Sequence, residues 1–247
     1  MERALKPVIE VKNVNKSFGE NHVLRDFSME VIPGENLVIL GKSGSGKSVL
    51  IKCIIKLMQP DSGQIVVLDE DINDLDQEEL DKLRAKVGFL FQSNALYDSM
   101  TVRENLEFPL RIHWTKEERE KNAQEAVREA LEDVGLSHTV NMMPSELSGG
   151  MRKRIALARA LILKPSVILY DEPTTGLDPI TAREISELMV SMQKKYNATS
   201  VIISHDMNCI RIASNRVIML IEGRRYADDT YENLRLSKDP KIREFFN

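Results

Sequence analysis

The sequence predicts an α/β fold built on a largely parallel sheet, and three observations predict it. Short β-branched and aliphatic runs alternate along the chain with segments of helical periodicity. Several of the runs, such as Val167-Ile168-Leu169-Tyr170, are apolar throughout rather than alternating, which suits strands covered on both faces. Helical segments fall between the runs, the pattern of parallel strands joined by crossovers.

Strands are expected at residues 8–14, 27–31, 37–40, 64–68, 87–91, 167–170, 200–203 and 217–221. From about residue 93 to 163 no strand is expected. Thr115-Lys116-Glu117-Glu118 has the form of a capping box. After it Ala123, Ala126, Val127, Ala130, Leu131 and Val134 recur at three and four, an amphipathic helix, with Gly135 where a C-terminal cap belongs. A second helix follows Leu147-Ser148-Gly149-Gly150, so this middle reads as a helical insertion. The tail from about residue 230 reads as a short, charged, peripheral element.

Composition narrows the function classes. Over 247 residues, 34 Lys and Arg stand against 38 Asp and Glu, a net charge of −4 that disfavours a nucleic-acid partner. The longest unbroken apolar run, 217–221, is far short of the roughly 20 residues that span a bilayer, so any membrane role is exercised from the surface through a partner. The start, Met1-Glu2-Arg3-Ala4-Leu5-Lys6-Pro7, lacks the apolar stretch of a signal peptide. Cys53 and Cys209 have no metal-like spacing and read as buried reduced thiols of a cytosolic protein. The four histidines are scattered.

The chemistry starts at Gly41-Lys42-Ser43-Gly44-Ser45-Gly46-Lys47-Ser48, which fits the phosphate-binding pattern GxxxxGK[ST] between a strand and a helix. Its glycines let successive backbone N–H groups, Ser43 and Ser45 included, turn inward to phosphate oxygens, and the helix N-terminus adds positive potential. Lys47 would reach the terminal phosphates and Ser48 would ligate Mg²⁺. Val167-Ile168-Leu169-Tyr170-Asp171-Glu172 ends an apolar strand in two acids. Asp171 at the sheet edge can hold Mg²⁺ through water, and Glu172 can polarise an attacking water, which points to a hydrolase rather than a kinase. No guanine-reading Asn-Lys-x-Asp occurs, since Asn15-Lys16-Ser17-Phe18 lacks the acid, so ATP is expected.

Leu147-Ser148-Gly149-Gly150-Met151 lies one hundred residues after the loop and shortly before Asp171. In that order the chain resembles an ABC-transporter ATPase subunit over nearly its whole length. Phe18 resembles the aromatic that stacks on adenine. Gln92 resembles the glutamine that senses Mg²⁺ and the attacking water at the hinge to the helical subdomain. Ser148-Gly149-Gly150 resembles the signature motif, Gly176-Leu177-Asp178 the D-loop, and Ser204-His205-Asp206 the loop whose histidine, here His205, reaches the γ-phosphate. Asp178-Pro179 also reads as a cap and first residue of a helix. The resemblance implies a P-loop NTPase (RecA-like) parallel-sheet core with an antiparallel β subdomain at 1–92 and 165–229, an inserted α-helical subdomain at 93–164, and a C-terminal tail at 230–247. It implies a head-to-tail homodimer with ATP between Lys47 of one subunit and Ser148 of the other, and movement passed to a permease through the loop after Gln92. Where the family usually has glutamine this chain has Met151, followed by Arg152-Lys153-Arg154, a run that reads as a solvated helix face or as an aid to the field around ATP.

Gly150-Met151-Arg152-Lys153-Arg154-Ile155-Ala156-Leu157-Ala158-Arg159-Ala160-Leu161 is similar to the ATPases of Mla/Mce-associated lipid transport systems, as is the run from Phe91 to Leu106. That branch implies phospholipid transport powered from the cytoplasmic face of the inner membrane, a peripheral location, a polytopic permease and, in some members, a small STAS-domain regulator. The tail 239–247 is similar to the start of that branch's C-terminal extension. An ABC ATPase for another cargo, such as amino acid import, or for a cell-division complex, would use the same chemistry. A chromosome-maintenance or translation ATPase is disfavoured by the short spacing between Ser48 and Ser148 and by the single P-loop. A non-catalytic ATP-gated module is disfavoured by Lys47, Asp171, Glu172 and His205 being present.

Overall fold

The structure is a computed structural model that describes residues 5–246; Met1 to Ala4 of the start read above, and Asn247, lie outside the described residues. Among the described residues ten strands form two sheets. In chain order they are β1 (Ile9–Phe18), β2 (Asn21–Val31), β3 (Asn36–Leu40), β4 (Ser62–Val67), β5 (Glu70–Asp71), β6 (Val87–Leu90), β7 (Val167–Asp171), β8 (Thr199–Ser204), β9 (Arg216–Ile221) and β10 (Arg224–Asp229). The helices are α1 (Lys47–Ile54), α2 (Gln77–Ala85), α3 (Val102–His113), α4 (Lys116–Asp133), α5 (Gly149–Leu161), α6 (Pro179–Tyr196), α7 (Met207–Ala213), α8 (Tyr231–Arg235) and α9 (Pro240–Arg243).

The larger sheet has the order β10-β9-β3-β8-β7-β6, and only its β9–β10 pairing is antiparallel. The three central strands β3, β7 and β8 are buried at every position, as strands covered on both faces must be. The smaller sheet, β2-β1-β4-β5, is antiparallel. Each of the eight strand predictions overlaps a strand. The two that periodicity did not reveal, Glu70–Asp71 and Arg224–Asp229, are polar edge strands held by backbone pairing to a neighbour.

Between residues 93 and 163 the chain is helical. Thr115 caps α4 in a reciprocal capping box with Glu118, and Gly135 follows the end of that helix at positive φ. This region has its own apolar core, with Val102, Leu106, Leu110, Val127, Leu131 and Ile155 buried together. It is joined to the sheet by α5, whose Ala156, Leu157 and Leu161 pack in the core of the larger sheet beside Val38, Leu90 and Tyr170. The approach is close: a Cβ on Gly88 of β6 would lie 2.4 Å from the Ala160 carbonyl oxygen, so only glycine fits there. Polar contacts bind the far end, where Lys195 reaches Asp133 at 2.5 Å, Lys164 reaches Glu129 at 2.8 Å, and the Tyr196 hydroxyl donates to Asp133.

The tail differs from the peripheral element expected. Leu234 and Ile242 are buried, Phe245 and Phe246 pack against the core, and Glu244 pairs with Lys42 of the phosphate loop at 2.8 Å. Its aromatic pair closes apolar surface that the charged residues around it conceal in the sequence. Among the described residues no helix is long and apolar enough to cross a membrane.

Candidate functional site

The site is assembled at the carboxyl ends of adjacent parallel strands. Because β3 pairs with β8 and β8 with β7 in register, the residues that follow them are brought side by side: the 41–48 loop after Leu40, Glu172 after Asp171, and His205 after Ser204. Gly41 leaves the sheet beside β9, and Gly46 caps α1 at φ 102°, a conformation that disfavours any other residue. A Cβ on Gly46 would also lie 2.7 Å from the Val23 side chain. The β1–β2 hairpin is therefore packed over the loop, with Phe18 half exposed at its tip and the Lys16 ammonium 5.5 Å from the ring centre.

Lys47 is 5% exposed, and its Nζ donates to the carbonyls of Gly41 at 2.7 Å and Lys42 at 3.1 Å, with Glu172 Oε1 at 3.6 Å. The Ser48 hydroxyl donates to Asp171 Oδ1 at 2.8 Å. Glu172 Oε2 faces His205 Nδ1 at 2.7 Å and accepts from the Thr175 hydroxyl at 3.3 Å. Glu172 has φ 51°, and its N–H donates to the Ile203 carbonyl at 2.9 Å, so pairing to β8 holds it in a strained backbone conformation of the kind found at working sites. The arrangement puts a cation, a hydroxyl, two acids and an imidazole around one loop, within which the Ser45 N–H donates to the Lys42 carbonyl at 3.1 Å.

Ser48 and Asp171 offer Mg²⁺ a hydroxyl and a carboxylate oxygen side by side, which fits a cation that takes few protein ligands and completes its octahedron with phosphates and water. No group of three His, Cys, Asp or Glu side chains suited to a metal occurs among the described residues, so the donor set does not suit an all-protein metal cage. Gln92, two residues beyond β6, is exposed.

The remaining predicted residues stand apart from the loop. Ser148 caps α5 by accepting from Met151 N–H at 3.2 Å, and Gly149 and Gly150 form the first turn. No hydrogen bond among the described residues joins 148–150 to 41–48. The carboxylate of Asp178 caps α6, accepting from the backbone of Ile180 and Thr181 and from the Thr181 hydroxyl at 2.6 Å; those bonds, the hydroxyl first, hold it below the usual carboxylate range.

The basic run after Met151 departs from a solvated face. Lys153 is 1% exposed and donates to the Gln92 carbonyl at 3.0 Å. Burial pushes its ammonium down to about 8, against the pull of nearby Asp171. Arg152 donates to the Leu147 carbonyl, and Arg154 to the Val134 carbonyl and Glu184. Reading the run as three adjacent charges hid Lys153. Its place one turn before Ala156 and Leu157, on the apolar stripe of α5, was the available signal. Two more residues of the same surroundings went unread. Arg159 donates to the carbonyls of Ala95 at 2.8 Å and Asn94 at 3.1 Å, and buried Asn105 bonds the backbone of Tyr97, Met100 and Thr101.

Comparison with known proteins gives the setting. A family model described as "ABC transporter" matches residues 24–175. The chain is 40% identical over 97% of its length to the probable ribonucleotide transport ATP-binding protein mkl of Mycobacterium leprae, and spans 68% of that protein. It is 41% identical over 88% of its length to the methionine import ATP-binding protein MetN of Clostridium tetani, spanning 67% of it, and 38% identical over 88% to the glutamine transport ATP-binding protein GlnQ of Geobacillus stearothermophilus, spanning 88% of it. Among solved structures it is similar to the dimeric ATP-binding cassette MJ0796 bound to ADP and Pi, with TM-score 0.80 and 34% identity, covering 90% of this chain and 98% of that one. It is also similar to cbiO1 of Clostridium perfringens, with TM-score 0.84 and 30% identity, covering 94% and 92%.

Proposed function

This chain belongs to the ABC transporter family, and from that premise we propose that it is the ATP-hydrolysing subunit of a transporter that moves phospholipid across the cell envelope. The convergence of Lys47, Ser48, Asp171, Glu172 and His205 on one phosphate loop carries the ATPase part. In this reading the N–H groups of 41–48 receive the phosphates, and Lys47 turns from its own loop carbonyls to the terminal phosphates. Ser48, Asp171 and the Gln92 side chain would hold Mg²⁺, which would supply positive charge to the phosphates. Glu172 orients the attacking water and takes its proton, His205 steadies the γ-phosphate, and Phe18 lies against adenine.

Half of the pocket comes from a second copy. Ser148, Gly149 and Gly150 present a helix N-terminus that is joined to no residue of their own phosphate loop, and a relative of known structure is a dimer with ADP and Pi. A head-to-tail homodimer brings that terminus, and the D-loop around Asp178, to the other subunit's nucleotide. We assign 1–92 and 165–229 to the ATP-binding core, 93–164 to the helical subdomain and 230–247 to the tail. Permease subunits engage the loop after Gln92, placing the protein on the cytoplasmic face of the inner membrane, and a STAS-domain regulator would sit on the helical subdomain.

The lipid cargo is supported by the runs from Gly150 to Leu161 and from Phe91 to Leu106. A second reading, amino acid import, is favoured by the similarity to MetN and GlnQ. Purification of the tagged chain from membranes, followed by identification of the permease and bound lipid, tests the cargo. Phospholipid bound to the permease is the expected result, and an amino-acid-binding protein among the partners would establish the second reading instead.

A further inference from the structure

The charge least explained by the site is Lys153. An ammonium buried to 1% exposure has three N–H donors and normally faces a carboxylate, yet among the described residues no acid lies within ion-pair distance of it and its one hydrogen bond goes to the Gln92 carbonyl. Its position is specific: Ser148 caps α5, and the second turn beyond that cap carries Lys153 inward to the hinge between sheet and helical region. Two turns further on, Arg159 holds the carbonyls of Asn94 and Ala95, whose φ values of 65° and 52° are strained. One helix thus grips one loop at three points, 92, 94 and 95, always by backbone oxygen and always with a cation.

We propose that Lys153 is a positioning residue that ties Gln92 to the signature helix, so that engagement of Ser148–Gly150 by nucleotide on a second subunit is relayed to Gln92 of the same chain. The proposal rests on the reading of Gln92 and of 148–150 given above. A backbone tether suits this task. It fixes where the loop sits while leaving the Gln92 side chain free, and it moves with α5 as a rigid element. A buried lysine kept only for packing would be replaceable by an apolar residue of similar volume without loss.

The test compares Lys153→Met, which keeps the volume and removes the donor, with Lys153→Gln, which restores a neutral donor of nearly the same reach. In the nucleotide-free full chain, chymotrypsin should nick the segment after Phe91, Leu96 and Tyr97 about tenfold faster in the Met variant, the factor for losing a charge-assisted hydrogen bond, while the thermal midpoint does not fall. In the assembled ATPase its kcat should fall about tenfold with the KM for ATP unchanged within about threefold, and the Gln variant should recover most of both effects. Unchanged nicking in the Met variant, or faster nicking matched by a lowered thermal midpoint, would overturn the tether. An equal rise in KM and fall in kcat with no rescue by Gln would also count against it. If the Met variant does not fold, the Arg159→Lys variant and the Gln variant decide by the same nicking assay. The nicking assay needs no turnover, so a failed tether is distinguishable from a failed ATPase reading, in which the wild-type chain would bind no ATP.

Discussion

Glu172 presents its two carboxylate oxygens to two different groups, Lys47 on one side at 3.6 Å and His205 on the other at 2.7 Å. The lysine proposed to bind phosphate lies against the acid proposed to act on water. On the proposed function, a triphosphate would draw Lys47 to the stronger charge, leaving Glu172 with His205 and free to accept a proton. Glu172→Gln keeps the size of the side chain and an acceptor toward His205 but cannot take that proton. It is expected to lower turnover by about 10²–10⁴ while leaving ATP affinity nearly unchanged, read by phosphate release and by equilibrium binding. The variant should also accumulate as an ATP-bound dimer on size-exclusion chromatography, and normal turnover would refute the role. The identities of Lys47, Ser48, Asp171 and Glu172 were legible because each ends a pattern that chemistry makes recognisable. The strained φ of Glu172 and the Thr175 contact were not, because a neighbouring strand imposes them.

At the scale of elements, α5 differs between its N-terminus and its body. Its N-terminus offers the Ser148 hydroxyl and free N–H groups outward, and its body is buried between the helical region and β6, with Gly88 allowing the approach. Placing a bulky cation at the cap, Ser148→Arg, is expected to abolish hydrolysis while the monomer still binds ATP with near wild-type affinity, because the proposed dimer sets this residue against the other subunit's nucleotide. Isothermal titration of the monomer checks this, and a loss of binding there would contradict the shared pocket. The capping box of α4 is a separate matter of stability. Thr115→Ala removes the bond to Glu118 N–H and should cost about 1 kcal/mol, read by urea unfolding. This helix could be read directly from sequence, since cap, stripe and terminal glycine are all local. Strands β5 and β10 could not, because a polar edge strand exists only where a partner offers its backbone.

The whole molecule adds effects that no local pattern contains. Cys53 and Cys209 are wholly buried, and burial pushes each thiol up to about 11. At pH 8 the thiolate fraction of such a group is about one in a thousand, so the native chain should be inert to a thiol-specific disulfide reagent and react with two equivalents once unfolded. The same shift has a defined sign for stability. A folded-state value above the unfolded one means the contribution is fully present below about pH 9 and is lost as pH rises toward about 11. The unfolding free energy of the wild type, less that of a Cys53→Ala, Cys209→Ala variant, should therefore decline across that window. Lys153 is common to both chains and cancels from the difference. A flat difference would show that the thiols are not desolvated as the structure has them.

The sequence by itself determined the class of fold, the phosphate loop and the two acids at the end of β7, because each is read from short stretches of chain, and the order of the motifs, because order is a linear property of the chain. Tertiary structure alone decided that Lys153 is buried against Gln92, that the tail seats Phe245 and Phe246 on the core and Glu244 on Lys42, and that His205 meets Glu172. Whether a charge is solvated depends on what folds over it from elsewhere in the chain, and neither periodicity nor spacing within one segment carries that information.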